Sequence, residues 1–325
     1  MRAVTISAPG GPEVLVETTL PDPVPRAGEV LIDVAAAGVN RADLLQRQGK
    51  YPAPPGEPTW PGLEVSGTVA ALGPGTSGWS VGARVCALLG GGGYADRVIA
   101  PAGQLLPVPP GIDLIDAAGL PEAVCTGWSN LTGAGGLRSG QSVLIHGGSG
   151  GVGSVAIQLA AAIGARVAAT AGGPERAARC AQLGAGLVID HRTEDFSRAV
   201  LGWTGGRGVD VVLDILGAAA LTANLEALAP GGRLVVIGLQ GGRRANLDLG
   251  LVLARQASIV GTMLRSRPAP EKAAIIAQVR AHAWPMLDDG RLRPVIQARL
   301  PLGSAGAAHE LLDSGQVFGK VLLVI

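Results

Sequence analysis

Between residues 142 and 264 the apolar positions come in unbroken runs rather than in alternation: SVLIHG (142–147), ARVAAT (165–170), GLVIDH (186–191), VDVVLDIL (209–216), GRLVVIGL (232–239) and ASIVGTML (257–264). Strands that read this way are buried on both faces, which marks a parallel sheet. The intervening stretches 152–163, 175–183 and 219–228 are rich in Ala and long enough for crossover helices. Six strands alternating with helices predict a doubly wound α/β fold. Before residue 121 the texture differs. Short runs rich in branched residues (29–34, 67–72, 94–99) are punctuated by Gly and Pro without a helical period, which predicts a mostly antiparallel β-rich domain. The segment YPAPPGEPTWP (51–61) carries five prolines and can be neither helix nor central strand, so it is expected to be a stiff loop. The expected organisation is a β-rich domain over 1–121, a doubly wound domain with a six-stranded parallel sheet over 122–264, and a C-terminal segment over 265–325. That segment should hold a helix up to 287, two shorter elements and a last strand over 320–324.

Charge narrows the possible partners. Lys and Arg number 26 and Asp and Glu 25, so no net field draws a phosphate backbone or an anionic lipid surface, and neither nucleic acid nor membrane is expected. Cys86, Cys125 and Cys180 form no CxxC pair and cannot close an even disulfide framework, which fits a reducing setting. The opening MRAVTISAPGGPEV lacks the apolar core of a signal peptide, and no run of about 18 apolar residues occurs. A cytoplasmic protein is expected.

Gly148, Gly150 and Gly153 spell GxGxxG, but with 51 glycines about one such triple arises by chance. A decoy is present at Gly73, Gly75 and Gly78, within GPGTSGWSVG and with no helical segment after it. Only the second copy follows an apolar run and opens a helical one, at the head of the first βαβ unit. There the turn Ser149, Gly150, Gly151, Val152 and Gly153 lets the backbone approach a pyrophosphate, with the helix N-terminus holding its charge. A Rossmann-type dinucleotide site follows. At the end of the second strand, where NAD enzymes place a carboxylate, the sequence reads Thr170, Ala171, Gly172. No acid comes before Glu175, and Arg176 can face a 2′-phosphate, so NADPH is expected over NADH.

With these residues in place the chain resembles the zinc-free quinone oxidoreductases of the medium-chain dehydrogenase/reductase family. These include zeta-crystallin and, closer still, the stress-inducible quinone reductases. The resemblance runs nearly end to end on NRADLLQRQGKYPAPP (40–55), PGLEVSGTVAALG (61–73), GGGYADRV (91–98), VLIHGGSGGVG (143–153) and FGKVLL (318–323). It implies a GroES-like catalytic domain, a Rossmann domain inserted within it and a tail that rejoins the first. It also implies that Asn40, Tyr51, Thr126, Gly172, Arg176, His191, Leu239, Leu264 and Lys320 surround the cofactor, with Lys320 reaching the phosphates and His191 beside the adenosine. Zinc-dependent relatives place a cysteine at the position of Asn40 and a histidine at that of Leu63. Glu64 alone cannot supply the three protein ligands of a catalytic zinc, so no metal is expected.

Hydride transfer from a nicotinamide to a quinone needs mainly position and a dry cleft, and the absence of a readable nucleophile–base arrangement agrees with this. The expected activity is zinc-free, NADPH-dependent reduction of a small quinone or enone-type substrate, with Tyr51 and Asn40 at the reacting end. Two alternatives stay open: an enoyl-thioester reductase in which Tyr51 donates a proton, and an NADPH-binding protein with little turnover. The last strand of the parallel sheet, around 259–263, would expose an apolar edge, so a homodimer is expected.

Overall fold

A computed structural model describes all residues, Met1–Ile325. The chain divides into two compact units: Met1–Cys125 with Leu264–Ile325, and Thr126–Met263. The first boundary thus falls a few residues beyond the expected 121, and the C-terminal segment is part of the first unit. No helix is long and apolar enough to cross a membrane.

The first unit opens with a two-stranded ribbon, β1 (Arg2–Ile6) and β2 (Leu15–Thr19). Its main sheet holds β3 (Glu29–Val39), β4 (Glu64–Leu72), β5 (Arg84–Leu88), β6 (Arg97–Pro101) and β7 (Leu105–Pro107), all paired antiparallel. Between β3 and β4 lie α1 (Arg41–Arg47) and then the proline segment, which forms neither helix nor strand. Proline removes the ladder donor and fixes φ, so this stretch can only be loop. The inward faces of the strands, with Ile32, Val65, Tyr94 and Leu105, make the core. The helix α2 (Pro121–Trp128) runs across the chain position where the first unit gives way to the second.

The second unit is the doubly wound sheet: β8 (Ser142–Ile145), β9 (Arg166–Ala171), β10 (Leu187–Asp190), β11 (Val209–Asp214), β12 (Leu228–Val236) and β13 (Ser258–Gly261). All neighbours are parallel, in the order β10-β9-β8-β11-β12-β13. The crossovers are α3 (Gly151–Ile163), α4 (Pro174–Gln182), α5 (Phe196–Trp203), α6 (Leu221–Ala227) and α7 (Leu249–Arg255). Leu144, Ala168, Ile189, Val212 and Leu234 fill its core. The order reverses beside β8, and ligands of such sheets bind outside the strand C-termini at that switch point.

The chain returns to the first unit through α8 (Ala269–Gln278), a wider-wound turn over Val279–Ala283 and α9 (Pro285–Asp288), so the expected helix up to 287 exists but is interrupted. Then come β14 (Ile296–Pro301), α10 (Ala305–Asp313) and β15 (Lys320–Val324). β15 pairs antiparallel with β3 and parallel with β14, closing a seven-stranded sheet.

Candidate functional site

The glycine turn lies between β8 and α3. Gly147 adopts φ +67°, a left-handed conformation open to glycine, and Gly150 caps the helix with extended backbone and no side-chain cap bond. A Cβ on Gly153 would lie 2.1 Å from the carbonyl oxygen of Gly147, so only glycine lets the helix start this close to the strand. Gly150 has open space, its nearest neighbour to an added Cβ being 3.4 Å away. Residues 149–152 remain partly exposed, at the positive end of a thirteen-residue helix. A pyrophosphate fits such a turn.

Gly172 follows β9, and a Cβ there would meet Arg192 Nε at 3.0 Å and His191 Nε2 at 3.1 Å. The two exposed side chains from the end of β10 thus cross close over this turn, and a larger residue at 172 would have to displace them. Arg176 stands on the first turns of α4. Sequence reading missed Arg192, whose surroundings appear only once β10 is laid beside β9. It also missed a carboxylate: Asp190 pairs in register with Ala171. Asp190 Oδ1 accepts the Arg192 N–H at 3.1 Å, and the Arg192 and Gly173 amides hold its pKa down. Leu239 lies beyond the end of β12, exposed, with the backbone of Gly217 against it. The Thr126 carbonyl accepts from Asn130 Nδ2 at 2.8 Å. His146 is buried and bonded to Asn224 at 2.7 Å.

Asn40, Tyr51, Leu264 and Lys320 belong to the first unit. Lys320 is buried, and its ammonium meets Asn40 Oδ1 at 2.6 Å, Glu64 Oε1 at 2.6 Å and the Val39 carbonyl at 3.1 Å. Those partners take all three of its hydrogens. Burial obliges the ammonium to pair inside the protein. Asn40 is equally committed, its Nδ2 donating to Glu64 Oε1 at 3.0 Å and the Gly38 carbonyl at 3.3 Å. It holds the ion pair rather than presenting a free amide. Glu64 Oε2 accepts the backbone N–H of Glu122 at 2.9 Å, so the carboxylate sits at the N-terminus of α2.

Asp43, also buried, accepts from the amides of Asn40 (2.8 Å) and Gly62 (3.0 Å) and from the Tyr94 hydroxyl (3.2 Å), yet burial pushes its carboxyl up to about 6. Arg265, which no sequence signal singled out, bonds Gly90 O (2.7 Å), Gln46 Oε1 (2.7 Å) and Tyr51 O (3.3 Å), with its guanidinium carbon 5.2 Å from the Tyr51 ring centre. It fixes the start of the proline segment and, with it, the Tyr51 ring. Cys125 is fully buried.

Residues 26–110 match the alcohol dehydrogenase GroES-like domain, and residues 151–278 match the family described as zinc-binding dehydrogenase. The quinone oxidoreductase of Rattus norvegicus is 34% identical over 328 residues, covering 100% of this chain and 98% of that protein. A mycobacterial protein solved in complex with NADPH superimposes with a TM-score of 0.90 at 31% identity, and Escherichia coli quinone oxidoreductase complexed with NADPH does so with 0.90 at 27%. Each superposition covers the whole of both chains. The chain belongs to the quinone oxidoreductases of the medium-chain dehydrogenase/reductase family.

Proposed function

We propose that this protein reduces quinones, or similar activated carbonyl and alkene compounds, with NADPH and without zinc. The observation that carries the reading is the turn 149–153, whose uncapped helix N-terminus and close-packed glycines fit a pyrophosphate. Bound there, NADPH would supply the hydride. The chain's own residues would bind and orient it: the turn holds the pyrophosphate, Arg176 and Arg192 flank the place of a 2′-phosphate, and His191 stands beside the adenosine. Thr126, Leu239 and Leu264 remain proposed neighbours of the cofactor by family likeness.

Zinc does not fit the residues present. Leu63 offers no ligand atom, Asn40 and Glu64 are engaged by the Lys320 ammonium, and no three His, Cys, Asp or Glu side chains converge.

The test follows NADPH absorbance with a panel of quinones, alkenals and an enoyl thioester, with and without chelator. Turnover of quinones or alkenals that chelator leaves unchanged is expected. An enoyl thioester reduced faster than any other substrate, activity restored only by added zinc, or no oxidation of NADPH would each overturn the reading.

A further inference from the structure

A chain of hydrogen bonds ties the glycine turn to α6, and every link lies within the second unit. Thr170, next to last in β9, holds two consecutive amides of the turn. Its hydroxyl oxygen accepts the Gly147 N–H at 3.1 Å, and its carbonyl accepts the Gly148 N–H at 2.8 Å. Gly147 in turn sets where α3 begins: its carbonyl accepts the Gly150 N–H at 2.9 Å and stands where a Cβ on Gly153 would fall. The Thr170 hydroxyl also meets His146 Nδ1 at 3.2 Å, and His146 Nε2 meets Asn224 Oδ1, on α6, at 2.7 Å. Thr170, His146 and Asn224 are 3%, 1% and 0% exposed, so bulk water competes for none of these bonds.

The direction of each bond follows from its ends. An amide oxygen only accepts and an amide N–H only donates. Asn224 Oδ1 therefore takes the proton of His146 Nε2, and Thr170 Oγ1 takes that of Gly147. Burial holds the imidazole below its usual pKa, so the ring is neutral, Nδ1 keeps a lone pair, and the Thr170 hydroxyl gives that atom its one proton. His146 is thus held as the Nε2–H tautomer, its ring edge-on to Phe196 with centres 4.7 Å apart.

Resting on the NADPH-dependent reading above, we propose that Thr170, His146 and Asn224 are positioning residues for the dinucleotide. Their bond chain fixes Gly147 and, through it, the amides of the turn that would receive the pyrophosphate. Pyrophosphate is common to NADPH and NADH, so the chain governs affinity for both alike and leaves the choice between them to the residues around the 2′-phosphate. Thr170→Val keeps the side-chain shape but strips Gly147 N–H and His146 Nδ1 of their partner in a buried place, and the turn must shift to find another.

Titrations with NADPH and NADH, thermal unfolding and histidine ¹⁵N NMR on the full chain test this. Thr170→Val should weaken both dinucleotides together, each about tenfold, the cost of a buried polar group left unpaired. Thr170→Ser, which keeps the hydroxyl, should recover most of that affinity. Asn224→Ala should weaken both by about threefold and add no further loss in a Thr170→Val background, where the link it acts through is already cut. The His146 signals, assigned by their disappearance in His146→Gln, should show a neutral ring with its proton on Nε2 at neutral pH. A proton on Nδ1 or a cationic ring, a Thr170→Val protein that loses thermal stability but keeps its affinities, a loss confined to NADPH, or additive losses in the double variant would each overturn the proposal. If Thr170→Val does not fold, Asn224→Ala and the native spectrum still decide. A native protein that binds neither dinucleotide would overturn the reading of the protein itself, whereas native binding that none of these variants changes would overturn this inference alone.

Discussion

Tyr51 is held through its ring and its backbone. Arg265 stacks on the one and bonds the carbonyl of the other, and burial raises the phenol further from a useful acid range. Tyr51→Phe keeps the stacked ring, so its kcat/KM should fall far less than the ~100-fold to 10,000-fold of deleting a general acid. Tyr51→Ala removes a cation–π contact of about 0.5–2 kcal/mol and should lose more. Steady-state kinetics on one quinone separates the two variants, and equal, severe losses would make the hydroxyl the acid. At the other end, Arg192→Ala and Arg176→Ala should each weaken NADPH binding roughly tenfold, the worth of one charge-assisted hydrogen bond, and leave NADH within about twofold. Fluorescence titration of both cofactors checks this. These variants report more cleanly than an acid at Ala171, which is buried in β9. The contrast shows what a sequence holds at this scale. The glycine turn is local and could be read. Arg192 looks like any surface charge until a neighbouring strand is placed beside it. Lys320 and Asn40 were readable by type but not as partners 280 residues apart.

At the scale of elements, the parallel strands were legible because burial on both faces writes a continuous apolar run, and the structure returns all six. The short helices α1, α5 and α7 were not set out, since seven or eight residues give too few turns for a period to emerge. The helix α10 had no special signal, yet it carries the buried His309, which meets the Tyr94 hydroxyl at 3.1 Å, and Tyr94 in turn donates to Asp43 on α1. Burial and then Arg47 press the His309 pKa down to about 3, whereas Asp43 is pushed up to about 6. The signs oppose. Between pH 3 and 6.5 the unfolded chain protonates His309 and the folded one does not, so this residue makes stability fall as pH falls. Between the ordinary carboxylate range and pH 6 the folded chain protonates Asp43 and the unfolded one does not, so Asp43 makes stability rise as pH falls. In the native protein the two slopes largely cancel. In His309→Gln only that of Asp43 remains, so the stability difference between native and variant should change by about 1.4 kcal/mol per pH unit from pH 4 to 6. Urea unfolding at several pH values measures it, and parallel pH curves for the two proteins would refute the assignment.

At the scale of the whole molecule, the first unit is built from two distant stretches of chain: β15 pairs with β3 in register from Val321 with Val39 to Val324 with Ala36. No local pattern encodes such a pairing, because a strand's period names the face it buries but not its neighbour. That is why the return of the tail was legible only through family likeness. The opposite end of the sheet order in the second unit leaves a different question. There β13 is an edge strand, with unpaired backbone groups on one side. Around it Ile259 and Met263 are 41% and 53% exposed, and on the preceding helix Leu249 and Leu253 reach 66% and 77%. An apolar edge beside apolar side chains is a surface that native proteins cover or blunt with charge, and none of these four positions is charged. Two copies joined edge to edge about a two-fold axis would continue the sheet through both and cover the leucines, and a stable contact of this kind needs about 1,200–2,000 Å² in all. We therefore expect a homodimer whose seam is β13. Light scattering should give twice the chain mass at micromolar concentration, and Ile259→Lys, which places a charge on the seam without touching the core, should give the single-chain mass while NADPH affinity is retained. A native protein that stays monomeric at physiological salt would refute the dimer, and a dimer indifferent to Ile259→Lys would move its interface elsewhere.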